Sequence, residues 1–348
     1  MVDRSLTRPG RRAKSWPRVG LLIGQIGLIG LISLWSAVAM AEPLVIEARP
    51  VALYPEEPER RRMGGLVFLG GLELTSPDHH FGGLSGLSID PDGSRMLAIS
   101  DRGAWVGARL IHDSEGRLVG IGAAEIIPLG DSQGDYLHGR MGDAEDIADL
   151  ANGGYAVSFE RRHRVAVYPG DPFMPGNNRG VVLRSPEALI DAPDNKGIEA
   201  LVEIAPGRLL AVTEGMVASD SPGDVRLRGW LISENEAPAA LSYAVTGPLR
   251  PTALAKIPGG DLLVLERSFS LIAGLRVRLL RLDAASVAPG ATLRPVEIAN
   301  FGGAPTVDNF EGLAVRRDAQ GRLLVYMVSD DNFKGFQRTL LMQFELVY

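Results

Sequence analysis

"GLSGLSIDPDGSRMLAISDRG", residues 83–103, decides how the rest of the chain is read. A short apolar strand enters the turn "DPDG", a second strand rich in Leu, Ile and Ala follows, and the pattern stops on Asp101 and Arg102. Asp, Pro and Gly together are the residues of a tight hairpin connection. The unit recurs as "DAEDIADLANGGYAVSFERR" (143–162), "GIEALVEIAPGRLLAVTEG" (197–215), "RPTALAKIPGGDLLVLERS" (250–268) and "NFEGLAVRRDAQGRLLVYMVSDD" (309–331). Anchored on Gly86, Asp146, Ala200, Ala253 and Gly312, the copies are 60, 54, 53 and 59 residues apart.

That spacing holds four antiparallel strands, which is one blade of a β-propeller. Third and fourth strands are expected at "HRVAVYP" and "GVVLRS", and at "GLRVRLLRLD" and "TLRPVEIANF". The fifth unit ends after its third strand, "TLLMQFELVY" (339–348). Its fourth is expected from "GGLVFLGGLEL" (64–74), closing the ring with an N-terminal strand and removing an open edge. The fold class is therefore all-β, a five-bladed propeller. A sixth, irregular blade drawn from Leu44–Pro77 and a β-sandwich are the alternatives.

The chain has 348 residues, 36 Lys/Arg, 42 Asp/Glu and no cysteine, so neither disulfides nor thiolate chemistry contribute. Residues 1–41 have the grammar of a secretory signal. A basic stretch precedes an uncharged apolar run from Val19 to Val38, and "AMA" offers cleavage after Ala41. An uncleaved membrane anchor is the alternative, since the run is long for a signal. The expected division is signal 1–41, extension 42–63 and propeller 64–348, in the periplasm or secreted.

Removing the signal takes six bases and one acid, leaving 30 basic and 41 acidic residues, net −11. Such a balance, without a basic tract, speaks against nucleic acid, and against a membrane partner unless the segment is retained. The expected state is a monomer acting on a small anionic ester.

In a propeller the first strand of each blade lines the axis. Ser85, Glu145, Glu199, Thr252 and Glu311 occupy equivalent positions at the start of that strand. The second strands end on Asp101-Arg102, Glu160-Arg161, Glu214, Glu266-Arg267 and Asp330-Asp331. Antiparallel neighbours put these two sets side by side, so the acids converge on one mouth. Converging carboxylates protonate, pair with Arg, or hold a hard cation. Ca²⁺ takes 6 to 8 oxygens, and Asp308, Asn309, Glu311, Asp330, Asp331 and Asn332 supply several, with Asp146 added from the second repeat. Ca²⁺ or another divalent cation is the expected cofactor. Glu145, Glu199, Glu311 and Asp101 are the expected catalytic acids. Arg102, Arg161, Lys196, Arg267 and Lys334 would bind an anionic group. "VSDDNF" (328–333) is expected to be the most acid-rich corner, with no arginine partner in place. Ser85 sits in G-L-S-G-L rather than a nucleophile elbow, and the five histidines lack metal-ligand spacing.

At "GLSGLSID", "DAEDIADL", "NKGIEAL" and "DNFEGLAV" with "VYMVSDDNF", the chain resembles the phytase-like family labelled "esterase-like activity of phytase". The resemblance covers roughly residues 64–348. It implies a secreted bacterial propeller and hydrolysis of phosphoesters or esters. Calcium-dependent propeller phytases hold several Ca²⁺ ions in acidic clusters. The acids here are similar in kind, without a residue-by-residue match to those ligand motifs. Two further readings stay open: a non-catalytic ligand-binding or scaffold propeller, and a lactonase-like hydrolase.

Overall fold

The segment Arg95–Ser100, "RMLAIS", does not alternate apolar and polar side chains, and everything from Met96 to Ser100 is buried. A strand reads this way when both faces of its sheet are covered. In the structure, a computed structural model, every sheet is covered on both faces by the next sheet around a ring. The described residues are 41–190, 192–221, 223–270, 272, 274–303 and 306–347; the signal segment expected at 1–41 lies outside them except for Ala41.

Five antiparallel sheets follow in chain order. Blade one runs outward from Leu84–Ile89 through Arg95–Ser100 and Ala104–His112 to Leu118–Pro128. Blade two is Ala144–Asp149, Tyr155–Phe159, Arg164–Tyr168 and Val181–Val182. Blade three is Ile198–Ala205, Arg208–Ser221, Asp224–Ser233 and Ala239–Ala244, edged in parallel by Thr292–Leu293. Blade four is Arg250–Lys256, Leu262–Ser270, Gly274–Leu282 and Val296–Asn300. Blade five is Phe310–Arg317, Leu323–Ser329, Thr339–Leu346 and then Leu66–Thr75, the N-terminal strand that closes the ring. No sixth blade forms from Leu44–Pro77. Glu42–Leu44 edges blade one, while Glu47–Pro50 and Leu66–Thr75 belong to blade five.

The apolar core is divided like the ring itself. Five buried clusters fill the five gaps between blades, for example Trp105, Tyr168, Phe159 and Ile147 between blades one and two. Trp105 meets Tyr168 edge-on at 5.1 Å and donates its indole N–H to Asn178 at 3.0 Å. Such a pair adds about 1 kcal/mol beyond its buried area. No helix among the described residues is long and apolar enough to cross a membrane.

Each innermost strand carries the same irregularity at the same place. The pairing slips between Leu84 and Gly86, Ala144 and Ile147, Ile198 and Ala200, Pro251 and Ala253, and Phe310 and Gly312. One extra residue is inserted each time, a β-bulge that turns its side chain out of the regular pleat. The inserted positions include Ser85, Glu145, Glu199, Thr252 and Glu311. They are the five residues that the repeat alignment places together.

Candidate active site at the axial mouth

The bulges decide which side chains meet. Ser85 donates to the Ala144 carbonyl at 2.6 Å, and Thr252 to the Phe310 carbonyl at 3.3 Å, so these two copies stitch neighbouring blades. The other three copies are glutamates, and they share the mouth with the acids that end the second strands. Arg267 Nη2 lies 2.5 Å from Glu311 Oε1, which also accepts from Asn309 Nδ2 at 2.9 Å. Asn309 bridges on to Asp330 Oδ2 at 3.2 Å. Arg161 pairs with Asp143, and Glu160 accepts from the Gly197 amide at 3.1 Å.

Among the described residues two clusters could hold a cation. One is Asp78 with the exposed His79 and His80, where the histidines do gather. The other, at the mouth, is Asp143, Glu145 and Glu160: each offers an oxygen, all within 4.8 Å of one another. Three hard oxygen donors without nitrogen or sulfur suit Ca²⁺, Mg²⁺ or Mn²⁺. Asp143 and Glu160 were absent from the expected ligand set. Glu160 was visible as a strand-ending acid, and Asp143 opens the second repeat one residue before its strand.

The electrostatics are those of acids crowded out of water. Burial pushes Glu145 and Glu199 well above the usual carboxylate range, and their acidic neighbours push further. Burial raises both Glu199 and Glu160, while the contact between them raises Glu199 and lowers Glu160. Burial also raises Asp143 and Glu311, against the pull of Arg161 and Arg267 respectively. Asp101 is pushed up to about 7 and Asp330 to about 8, in both cases chiefly by burial. Among the described residues three buried polar atoms have no hydrogen-bond partner, all at this mouth: Asp101 Oδ1, His163 Nδ1 and Arg267 Nε. Burying such atoms unpaired is costly, so their orientation favours a bound ion or anionic group.

The rim is strained. Among the described residues the non-glycine positions with positive φ are Arg161 (53°), Asn332 (50°) and Phe333 (51°). All three lie in turns at the mouth, where strain persists only under close constraint. Phe333 supplies part of it, its ring 3.2 Å below the Arg102 guanidinium. Gly83 (φ 59°) crosses directly over Asp101 and Phe333, where a Cβ would collide with both.

The other expected residues are distributed as follows. Asp331 accepts from the Gly83 and Phe333 amides at 2.9 and 3.0 Å and from Thr339 Oγ1 at 3.1 Å, which makes it an anchor for the rim. Asp330 Oδ1 accepts from the Asn332 amide at 2.6 Å. Neither Asp330 nor Asp331 is in an ion pair among the described residues, whereas Asp308 faces Arg338 at 3.4 Å. Arg102, Lys196 and Lys334 are exposed on the rim. Asp146 points away from the glutamates. It is fully buried near the axis, accepting from the Ile147 and Leu201 amides at 2.8 Å each and weakly from Leu254 at 3.5 Å. On the far face the axis opens into a cavity of about 340 Å³ lined mainly by apolar residues such as Leu87, Ala148, Val202 and Leu313.

A pH dependence follows. Raised acids bind more protons in the folded than in the unfolded chain, so the stability they confer is complete below roughly pH 4 and is lost as pH rises through about 7 to 8. Melting of residues 42–348 in EDTA is expected to fall across that window, and Asp101→Asn with Asp330→Asn should flatten the fall. A melting temperature that rises from pH 5 to 8 would contradict these acids' environment.

The phytase-like family model, described as esterase-like activity of phytase, matches residues 79–333. No curated protein matches the sequence. Among solved structures, a protein described as a gluconolactonase is 13% identical, covering 90% of this chain and 95% of that one at a TM-score of 0.41. An α-L-arabinofuranosidase from Podospora anserina, in complex with cellotriose, is 10% identical over 81% and 97%, at 0.42. A PQQ-bound aldose sugar dehydrogenase from Streptomyces coelicolor is 14% identical over 87% and 99%, at 0.38. Similarity this low carries nothing about the reaction. The family match and the blade architecture together fit a hydrolase-type propeller.

Proposed function

Starting from the phytase-like family, to which this chain belongs, we propose a cation-assisted ester or phosphoester hydrolase working at the acidic mouth. The observation that carries the reading is the meeting of Asp143, Glu145 and Glu160 within the reach of one ion, in a mouth that also holds Arg267 with its Nε free. These three carboxylates would hold a divalent cation, which polarises an ester oxygen and lowers the pKa of water. Arg267 and the rim cations Arg102, Arg161, Lys196 and Lys334 would orient the anionic group. Asp101, titrating near neutrality, would take a proton from the attacking water. Glu199, whose pKa burial and its acidic neighbours raise well above the usual range, would pass a proton to the departing alcohol as its bond to phosphorus or carbon breaks. The N-terminal segment supports placing this chemistry in the periplasm or outside the cell, on a small anionic ester.

Residues 42–348 are to be assayed on p-nitrophenyl phosphate, phytate, p-nitrophenyl acetate and gluconolactone, with Ca²⁺, Mg²⁺ or Mn²⁺ and with EDTA. Turnover is expected with a cation and not with EDTA, and Glu145→Gln or Glu160→Gln should each lower kcat roughly 100-fold or more. Turnover of the lactone alone would move the assignment to a lactonase.

The closed pair Arg267–Glu311, which joins blades four and five, favours a second reading, a binding propeller whose acids only hold the ring together. No turnover of any substrate with any cation, together with lower melting temperatures for the glutamine variants, would establish that reading and overturn the first.

A further inference from the structure

The most exposed of the large apolar side chains share one face, although Val296 (68%) stands at the opposite end of blade four and Met174 (59%) lies outside the group. Among the described residues the three most exposed are Ile190 (82%), Phe336 (82%) and Ile272 (101%). All three belong to connections at the start of the innermost strands, the face that carries the acidic mouth. Ile190 lies between Val181–Val182 and Ile198–Ala205, Phe336 between Leu323–Ser329 and Thr339–Leu346, and Ile272 in the hairpin between Leu262–Ser270 and Gly274–Leu282. Phe269 (66%) and Val217 (48%) join them, because the second strands of blades three and four run on past the mouth as hairpins, Phe269 opposite Leu275 and Val217 opposite Leu227.

These residues sit on separate loop tips from different blades rather than in one groove, so no single segment of a folded partner covers them. An exposed cation accompanies three of the tips in sequence: Lys196 after Ile190, Arg276 after Ile272, and Lys334 before Phe336. Apolar tips with Lys or Arg beside them match the boundary between acyl chains and phosphate headgroups. The chain enters the propeller on the same side, since Glu42 pairs with Ile126, two residues from the mouth-side end of Leu118–Pro128. The sequence before it, outside the described residues, contains the uncharged run Val19–Val38, long enough to span a bilayer.

We propose that the mouth face docks on a lipid bilayer, with Ile190, Ile272 and Phe336 inserted at the headgroup level, their apolar insertion outweighing the net −11 charge that by itself speaks against an anionic surface. The acidic centre then faces the headgroups, ringed by the inserted tips. This docking does not depend on the hydrolase reading, and its test needs no substrate.

The domain suits an insertion assay. Of the four tryptophans, two (Trp16 and Trp35) precede residue 42, and the other two, Trp105 and Trp230, are 0% and 5% exposed. Residues 42–348 form the closed ring, so they can be tested alone. Phe336→Trp is mixed with vesicles of phosphatidylethanolamine and phosphatidylglycerol, with or without brominated acyl chains. Fluorescence of the introduced indole should be quenched by the brominated lipid, while that of the unsubstituted domain is not. Ile272→Asp with Phe336→Asp should lower vesicle co-sedimentation about tenfold at unchanged melting temperature. Quenching lost in phosphatidylcholine alone would assign the headgroup charge a necessary part. Absence of quenching and co-sedimentation on every composition would overturn the proposal, as would a dimer in light scattering that the double substitution dissolves.

Discussion

A chain beginning at residue 76 is expected not to fold. It lacks Leu66–Thr75, the strand that pairs with Thr339–Leu346 from Leu66↔Leu346 to Leu74↔Thr339 and closes the ring. Leu66, Phe68, Leu72 and Leu74, all at most 6% exposed, go with it. At roughly 2 kcal/mol for each buried side chain the loss is about 8 kcal/mol, comparable with the whole stability of an ordinary domain. The truncation also bares the backbone of Thr339–Leu346, an apolar edge that invites aggregation. A chain beginning at residue 65 keeps this strand and loses only the outer additions with Leu53, Tyr54 and Met63, so it should fold with a lowered melting temperature. Size-exclusion chromatography and circular dichroism on the two truncations check this. A cooperative melt of the shorter chain near that of residues 42–348 would refute the closing role.

The second large effect is expected at Asp146. Its carboxyl joins the strand it belongs to, in blade two, to the Leu201 amide of blade three and, more weakly, to Leu254 of blade four. Burial raises its pKa well above the usual range, with the three amides pulling the other way. Asp146→Ala leaves these buried donors unpaired and opens a void at the axis. A cost of about 3–5 kcal/mol is expected, lowering the melting temperature by roughly 10 °C. Asp146→Asn keeps an acceptor of the same shape and should cost only about 1 kcal/mol. Its response to added cation should equal that of the unsubstituted protein. Equal melting temperatures for the alanine and asparagine variants would remove the axial role.

The blades were legible because each is built from local hairpins whose turns carry Gly, Pro, Asp and Asn, and those residues repeat with the ring. The alignment that places Ser85, Glu145, Glu199, Thr252 and Glu311 together holds for the same reason. What the sequence concealed was direction. Glu145 and Asp146 are adjacent at a bulge, where regular alternation fails, and only Glu145 joins the mouth while Asp146 turns to the Leu201 and Leu254 amides. The bulge that aims Glu145 is a slip of register and has no residue signature of its own. The ion pairs were hidden too: Arg161 reaches Asp143 within its own blade, while Arg267 crosses to Glu311 in the next. The acid pair of "VSDDNF" is held mostly by backbone amides and a threonine, so this corner fixes the rim, while the three acids within reach of one ion belong to blade two.

The closing strand also sets an order of events. Leu66–Thr75 is made early, yet its inner neighbour is Thr339–Leu346, and the Val347 amide reaches back to the Gly65 carbonyl at 2.8 Å. The first large strand therefore waits for nearly the last residues of the chain. Contacts so distant in sequence make folding slow, and here they postpone ring closure until synthesis has passed residue 346. Until then the nascent polypeptide is an open, incomplete array whose first large strand has no inner partner. The propeller becomes a single cooperative object only once both strands of this closing pair have been made.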